Sequence, residues 1–307
     1  MTGHRSGFAL IELLVAIALL AIVGGAISEG LRRQQQVFRS IALMVAARGD
    51  VRDAAEVLAA DLSAASPLDT LPLARDSAVE FLSAIGASVS CDSAPGYTLR
   101  LPPEELAGGL LLTSLLATPD SGDILLVYND DSAATAGEPR WDRHTITAVS
   151  SKPAATACPA STGFTTAGDA TEPAYIVTLR SAASNGLNRG APVRILRRGR
   201  YSLYRSSNSR WYLGNRRCNA LGPSVCGVIQ PLSGPYAGYS STGQSGIAYR
   251  YFDAAGASLS SLDAPTRVAR VDIAVRARSS MPIQLGGLRP TQYMDSTSIS
   301  IALRNRD

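Results

Sequence analysis

Hydrophobic and polar positions divide the chain into two regimes. From Phe8 to Ile27 the sequence is almost unbroken apolar, FALIELLVAIALLAIVGGAI, and Glu12 is its one charge. About twenty apolar residues is the length a helix needs to cross a bilayer core. The run does not end in a helix breaker. Residues 28–65 contain no proline, and the first stop signal is Ser66-Pro67. Apolar positions continue at Val37, Ile41, Met44, Val51, Ala55, Leu58 and Leu62, in steps of three and four with Arg48 in the vacant place. Arg52, Asp53, Glu56 and Asp61 fall on the opposite face. The pattern predicts one helix from about Phe8 to Ala65, roughly 85–90 Å long at 1.5 Å per residue. Its first half is apolar all round. Its second half is amphipathic, and its stripe needs either a sheet or, over the few heptads available, a coiled-coil partner. Gly24, Gly25 and Gly30 are its points of weak propensity.

After Pro67 the period changes to short strands and turns. Ala78–Leu82, Tyr97–Leu101, Asp123–Tyr128, Ala174–Arg180, Pro192–Leu196, Arg200–Arg205, Arg210–Leu213, Ile247–Phe252, Val268–Arg276 and Thr297–Leu303 read as strands. Ser206-Ser207-Asn208-Ser209 is a hairpin turn signal. Leu106–Leu116, apolar with two glycines, reads as a short helix or a buried loop. Residues 129–172, poor in hydrophobes, read as an insertion with one strand near Thr145–Val149, and residues 214–246 as a Gly/Pro/Ser-rich loop. The fold class is therefore α+β, a long N-terminal helix on an antiparallel sheet with loop-rich insertions.

Charge sharpens this picture more than composition does. The net charge is +4, but residues 50–142 are acid-rich with four Arg, whereas Pro173 to Phe252 holds eleven Arg and no acid. Such a split predicts complementary faces or a basic surface for an acidic partner.

The head of the helix carries a resemblance. Gly7-Phe8-Ala9-Leu10-Ile11-Glu12, after the short leader MTGHRSG, is similar to the processing site of type IV pilins and type II secretion pseudopilins. Ala9 stands where that family usually has Thr. The resemblance implies cleavage after Gly7 by a prepilin peptidase, N-methylation of Phe8, and an assembly role for Glu12 against the N-terminal amine of a neighbouring subunit. Two opposite charges in hydrocarbon offset each other's desolvation only where they meet, so such a pair would set subunit register. Without the resemblance, Glu12 reads as an acid in the first turn of a signal anchor, favoured by the helix dipole. Gly122-Asp123 before an apolar strand, Tyr201-Ser202-Leu203-Tyr204-Arg205, the stretch from Ile247 to Gly256, and Arg267 to Ile273 resemble the W-type minor pilins of type IV pili and the J-type minor pseudopilins. The implied organisation is a leader at 1–7, a membrane or filament-core helix at 8–28, its amphipathic half at 29–66, and a periplasmic β-rich domain at 67–307. The implied partners are the prepilin peptidase, other minor and major pilins, and the inner membrane. An even cysteine count in an exported domain then reads as two disulfides among Cys91, Cys158, Cys218 and Cys226. Of three pairings, Cys91–Cys158 with Cys218–Cys226 is favoured; four buried thiols is the alternative for a cytosolic domain.

Other chemistry is sparse. His4 and His144 stand alone, and no G-x-S-x-G, P-loop or HExxH motif is present. The expectation is a non-enzymatic protein without a metal or cofactor. Asp120, Asp123, Asn129, Asp130 and Asp131 cluster oxygen ligands for calcium, in a spacing that matches no EF-hand loop. Arg194, Arg197, Arg198, Arg200 and Arg205, interleaved with Tyr204 and Trp211, are candidates for anion or single-stranded nucleic-acid binding, the chemistry of a pilus-tip adhesion or DNA-uptake subunit. Against that, strand alternation turns these arginines outward, to be paired with the acidic helix or with neighbouring subunits.

Overall fold

The computed structural model describes residues 10–65, 71–93, 96–130, 139–184, 187–222, 226–260, 267–284 and 289–303. Helix α1 runs unbroken over Leu10–Ser63. From Glu12 through Arg39 every side chain is exposed. By length and composition this is the one helix among the described residues able to cross a membrane. Burial begins where the sheet begins. Ser40, Ala47, Val51, Ala54, Ala55, Leu58 and Leu62 are buried against strands, which gives the amphipathic half its cover. Val37 and Ile41, two positions of the same stripe, stay exposed.

Among the described residues fourteen strands follow. They are β1 Leu73–Ala74, β2 Ala78–Val89, β3 Thr98–Leu101, β4 Ser114–Leu115, β5 Ile124–Asn129, β6 Arg140–Pro153, β7 Pro173–Leu179, β8 Pro192–Arg205, β9 Trp211–Cys218, β10 Gln230–Tyr236, β11 Ile247–Phe252, β12 Ser258–Leu259, β13 Arg270–Arg278 and β14 Met294–Ala302. All pairings are antiparallel.

The spine is the long ribbon of β2 and β8, paired from Ala78↔Ser202 to Val89↔Pro192. The other edge of β8 is divided. Residues from Val193 to Leu196 pair with β5, and those from Arg198 to Arg205 pair with β9. Two lobes result. One continues through β9, β10, β13, β11 and β14 and carries α1. Its core joins Val51, Leu58 and Leu62 of the helix to Val79, Phe81, Tyr201, Tyr249, Val271 and Ile273 of the strands. The other lobe, β5-β6-β7-β3, has a separate core of Leu99, Leu101, Leu125, Val127, Ile146, Val177 and Ile195.

The helix crosses the strands of its lobe. Ser40 Oγ donates to the Gln284 carbonyl at 3.1 Å in the β13–β14 connection. Further along, Arg48 meets Asp295 at 3.4 Å, the Asp50 carbonyl accepts from Tyr236 on β10, Asp61 accepts from Tyr201 on β8, and Ala65 bridges to Ser83 on β2. The exposed first half of α1 therefore projects past the β14 edge.

The expected strands occur, with differences. The segments 192–196 and 200–205 are one continuous strand, β8, through Arg197-Arg198-Gly199. Residues 230–236, read as loop, form β10, whose Pro231 and Pro235 coincide with register shifts where a proline's missing N–H is tolerated. The 129–172 insertion contains the fourteen-residue β6. The stretch 106–116 is turns with the short β4.

Candidate functional site

Two places concentrate unusual side chains. The first is the head of α1. Gly7 and Phe8 lie outside the described residues. Glu12 is the acid of the first helical turn, where backbone N–H groups without intrahelical acceptors favour negative charge. Its surroundings on the helix, Leu10, Leu13, Leu14 and Val15, are all more than half exposed and uncovered by the domain. Further down, Arg33 Nε bonds Glu29 at 2.9 Å across one turn.

The second is the seam between the lobes, where β8 carries its arginines. Alternation sends Arg197 to the face that bears the helix and Arg194, Arg198, Arg200 and Tyr204 to the other, since Tyr201 and Leu203 belong to the helix-side core. Arg197 grips Asp123, Nε at 3.0 Å and Nη2 at 2.8 Å, and Arg217 of β9 adds a contact at 3.3 Å. Asp123 is buried at the entry to β5, positioned by Gly122, whose φ of +88° places it in a turn where a Cβ would run into Asn219. On the opposite face, Glu80 of β2 receives both Arg198 and Arg200, the latter through Nε at 2.9 Å and Nη2 at 2.7 Å. Glu80 is wholly buried. A carboxylate removed from water needs such charge-assisted partners.

The remaining residues of the proposed basic surface are dispersed. Arg194 lies over the Trp141 ring at 4.7 Å. Arg205 and Trp211 are opposite each other at the hairpin end, where Trp211 packs on the helix-side core. Tyr204 packs on Tyr212 at 6.2 Å. The arginines thus do not form one face, and the acids they meet are not those of the helix. Arg197, Arg198 and Arg200 pair with Glu80 and Asp123, from the sheet and the turn leading into it. Sequence reading missed these two carboxylates as partners. The available signal was a lone Glu inside AVEFL and a lone Asp heading ILLVY.

The calcium-ligand set is also dispersed. Asp120 pairs with Arg217 at 3.0 Å, and its carboxyl is held below the usual range by the Ser121 N–H and then by Arg217. Asn129 donates to Asp142 and Ser184, and Asp130 accepts from Asn188. Asp131 lies outside the described residues. With Asp123 filled by guanidinium groups, the described residues of this corner form no cluster of open carboxylates for a cation. Among the described residues one group has metal-ligand spacing, Glu80 with Cys218 and Cys226. It too is unsuited, because the sulfurs are joined in a disulfide and the carboxylate already serves two arginines. Cys91 and Cys158 form the second disulfide, tying the end of β2 to the far side of the outer lobe. His144, on β6, is buried with Nδ1 3.0 Å from Ser181 Oγ and Nε2 without a partner; burial lowers its basicity. Among the described residues no carboxylate bonds that second nitrogen, where an orienting acid would stand in a nucleophilic triad.

No curated protein and no solved structure matches the chain. Residues 3–28 match the family model described as the prokaryotic N-terminal methylation motif. The matched span covers the head of α1, with Gly7, Phe8 and Glu12 inside it, and supports a type IV pilin-like or pseudopilin precursor.

Proposed function

We propose that the protein is a minor pilin of a type IV pilus. It is cut after Gly7 by a prepilin peptidase, methylated on Phe8, and incorporated through α1 into the helical core of a filament whose assembly it helps to initiate. The observation that carries this reading is the methylation motif at the head of a 54-residue helix whose first thirty residues project, uncovered, beyond the domain. A helix that is apolar all round needs a membrane or other helices about it, and in a filament it finds first one and then the other. In this reading the domain, with its two disulfides, stands in the periplasm, and the chain has no catalytic role. The large outer lobe, added to the sheet that carries the helix, favours a pilus subunit over the second reading, a minor pseudopilin of type II secretion. The dispersal of the Arg/Tyr stretch argues against a tip subunit that binds nucleic acid through one continuous face.

The test is the mass of the N-terminus. Protein purified from its own cells is expected to begin at a methylated Phe8, and Gly7→Ala to abolish that processing. An intact Met1 start in wild-type cells that assemble pili overturns the reading. Loss of piliation without loss of secretion on deletion separates pilin from pseudopilin.

A further inference from the structure

The face of the sheet turned away from α1 holds a charge row that is incomplete. Glu80 on β2, Arg200 on β8 and Arg216 on β9 stand directly opposite one another across three strands. Arg198 is two places along β8 on the same face. Three arginines thus stand beside one carboxylate, and two of them pair with it. Both oxygens of Glu80 are taken, Oε1 by Arg198 and Oε2 by Arg200. Arg216 is left with its Nε buried and without a hydrogen-bond partner. Like charges directly opposite on neighbouring strands repel, and a buried donor left unpaired carries its full desolvation cost. Among the described residues no acid pairs with Arg216. From Pro173 to Phe252, a span that includes Cys218 and Cys226, whose sulfurs lie near Glu80, there is no acid.

We propose that Arg216, with Arg200 and Arg198 beside it, binds an anionic oxygen group, a phosphate or a carboxylate, on the sheet face opposite the helix. A guanidinium fork matches the paired oxygens of either group, and a partly dry site strengthens the contact. Arg198 and Arg200, at 16 % and 21 % exposure, are sheltered yet reachable from solvent. Because α1 packs on the other face, engagement of the helix does not itself cover this site. The inference does not rest on the pilus reading, since it concerns only the charge row.

The experiment uses the full chain in a non-ionic detergent and compares sodium phosphate, sodium malonate and sodium chloride at matched ionic strength. Thermal midpoint and, for phosphate, the ³¹P linewidth are the readouts. Wild type is expected to melt higher, saturably, in phosphate or malonate than in chloride, the stronger of the two naming the group preferred. Arg250→Gln, an exposed arginine elsewhere on the same face, is expected to respond as wild type does. Arg216→Gln is expected to lose the response while melting no lower than wild type in chloride, because it removes a like-charge pair. Arg216→Lys keeps the charge without the fork and is expected to bind about tenfold more weakly. Equal shifts in wild type and Arg216→Gln, no shift with either anion, or an Arg216→Gln protein that melts lower than wild type in chloride would overturn the proposal.

Discussion

Tyr201 on β8 donates its phenolic hydrogen to Asp61 Oδ2 at 2.5 Å, pinning the last turns of α1 to the centre of the sheet. The ring is buried and stacks on Phe81 with centroids 5.6 Å apart. Tyr201→Phe retains that stacking and removes only the hydroxyl. A hydrogen bond to a charged acceptor contributes about 1.5–3 kcal/mol net, so the variant is expected to lose about that much stability. Asp61→Asn keeps an acceptor and is expected to lose less. Urea unfolding followed by tyrosine fluorescence measures both, and equal losses would show that a neutral amide cannot replace the carboxylate, so that the charge itself carries the bond.

Glu80 is the point where charge is most enclosed. Glu80→Gln leaves Arg198 and Arg200 without their counter-charge in a sheltered place, and removing one partner of a buried ion cluster costs about 3–5 kcal/mol. Both arginines are partly exposed, which screens the effect toward the lower end. Glu80→Leu combined with Arg198→Met and Arg200→Leu is expected to regain most of the loss, since apolar residues of similar bulk need no compensation there. The two thermal midpoints test this, and a triple variant no more stable than Glu80→Gln refutes it.

These charges mark where the sequence stops being legible. The helix was plain because its cause is local: twenty apolar residues, then a stripe at helical period with no proline before Pro67. Strands with β-branched or aromatic alternation were plain for the same reason, such as Ile247–Phe252 and Val268–Arg276, the latter found two residues further on as β13, Arg270–Arg278. β8 read as two pieces because Arg197 and Arg198 interrupt its apolar pattern. What admits them to a central strand is Glu80 and Asp123, more than seventy positions earlier. Only the tertiary fold brings those groups together. β10 carries two prolines, and local propensity there is overridden by pairing with β9. The exposure of Val37 and Ile41 was equally hidden, because periodicity shows which face of a helix is apolar and not where the sheet beneath it ends. At the functional head, the motif around Gly7, Phe8 and Glu12 was readable from sequence alone, being a linear signal.

His144 makes stability depend on pH. Its ring is buried against β5, where Leu125 is its strand neighbour, and burial disfavours the cation more than the nearby Asp142 charge favours it, so its folded-state pKa lies below the ordinary value of 6.5. The unfolded chain then binds the proton that the folded chain declines. The stability contributed is present above about pH 6.5 and is lost as pH falls through the folded-state pKa. The unfolding midpoint in urea is expected to drop between pH 7.5 and pH 5.5 in wild type. His144→Gln, which cannot titrate, is expected to flatten that part of the profile. An unchanged slope in the variant would assign the effect to carboxylates instead.

Glu12 is the one charge in the apolar head of α1, and among the described residues nothing offsets it: its neighbours Leu10, Leu13, Leu14 and Val15 are exposed aliphatic side chains. A carboxylate at the centre of a membrane helix costs about 2.5–3.5 kcal/mol, less toward an end, so its presence calls for a partner outside the chain. If that partner is the amine created by cleavage on a neighbouring subunit, then Glu12→Ala and Glu12→Gln should act on assembly and not on processing. Both variants are expected to be cleaved after Gly7 at a normal rate, seen by intact mass. Both are expected to be incorporated into sheared filaments about tenfold less than wild type, equivalent to a loss of about 1.4 kcal/mol in the subunit contact. Glu12→Asp, which keeps the charge on a shorter arm, is expected to fall between. Full incorporation of Glu12→Ala would show that the apolar helix alone sets the register, while loss of cleavage in the same variant would move the role of Glu12 from assembly to recognition by the peptidase.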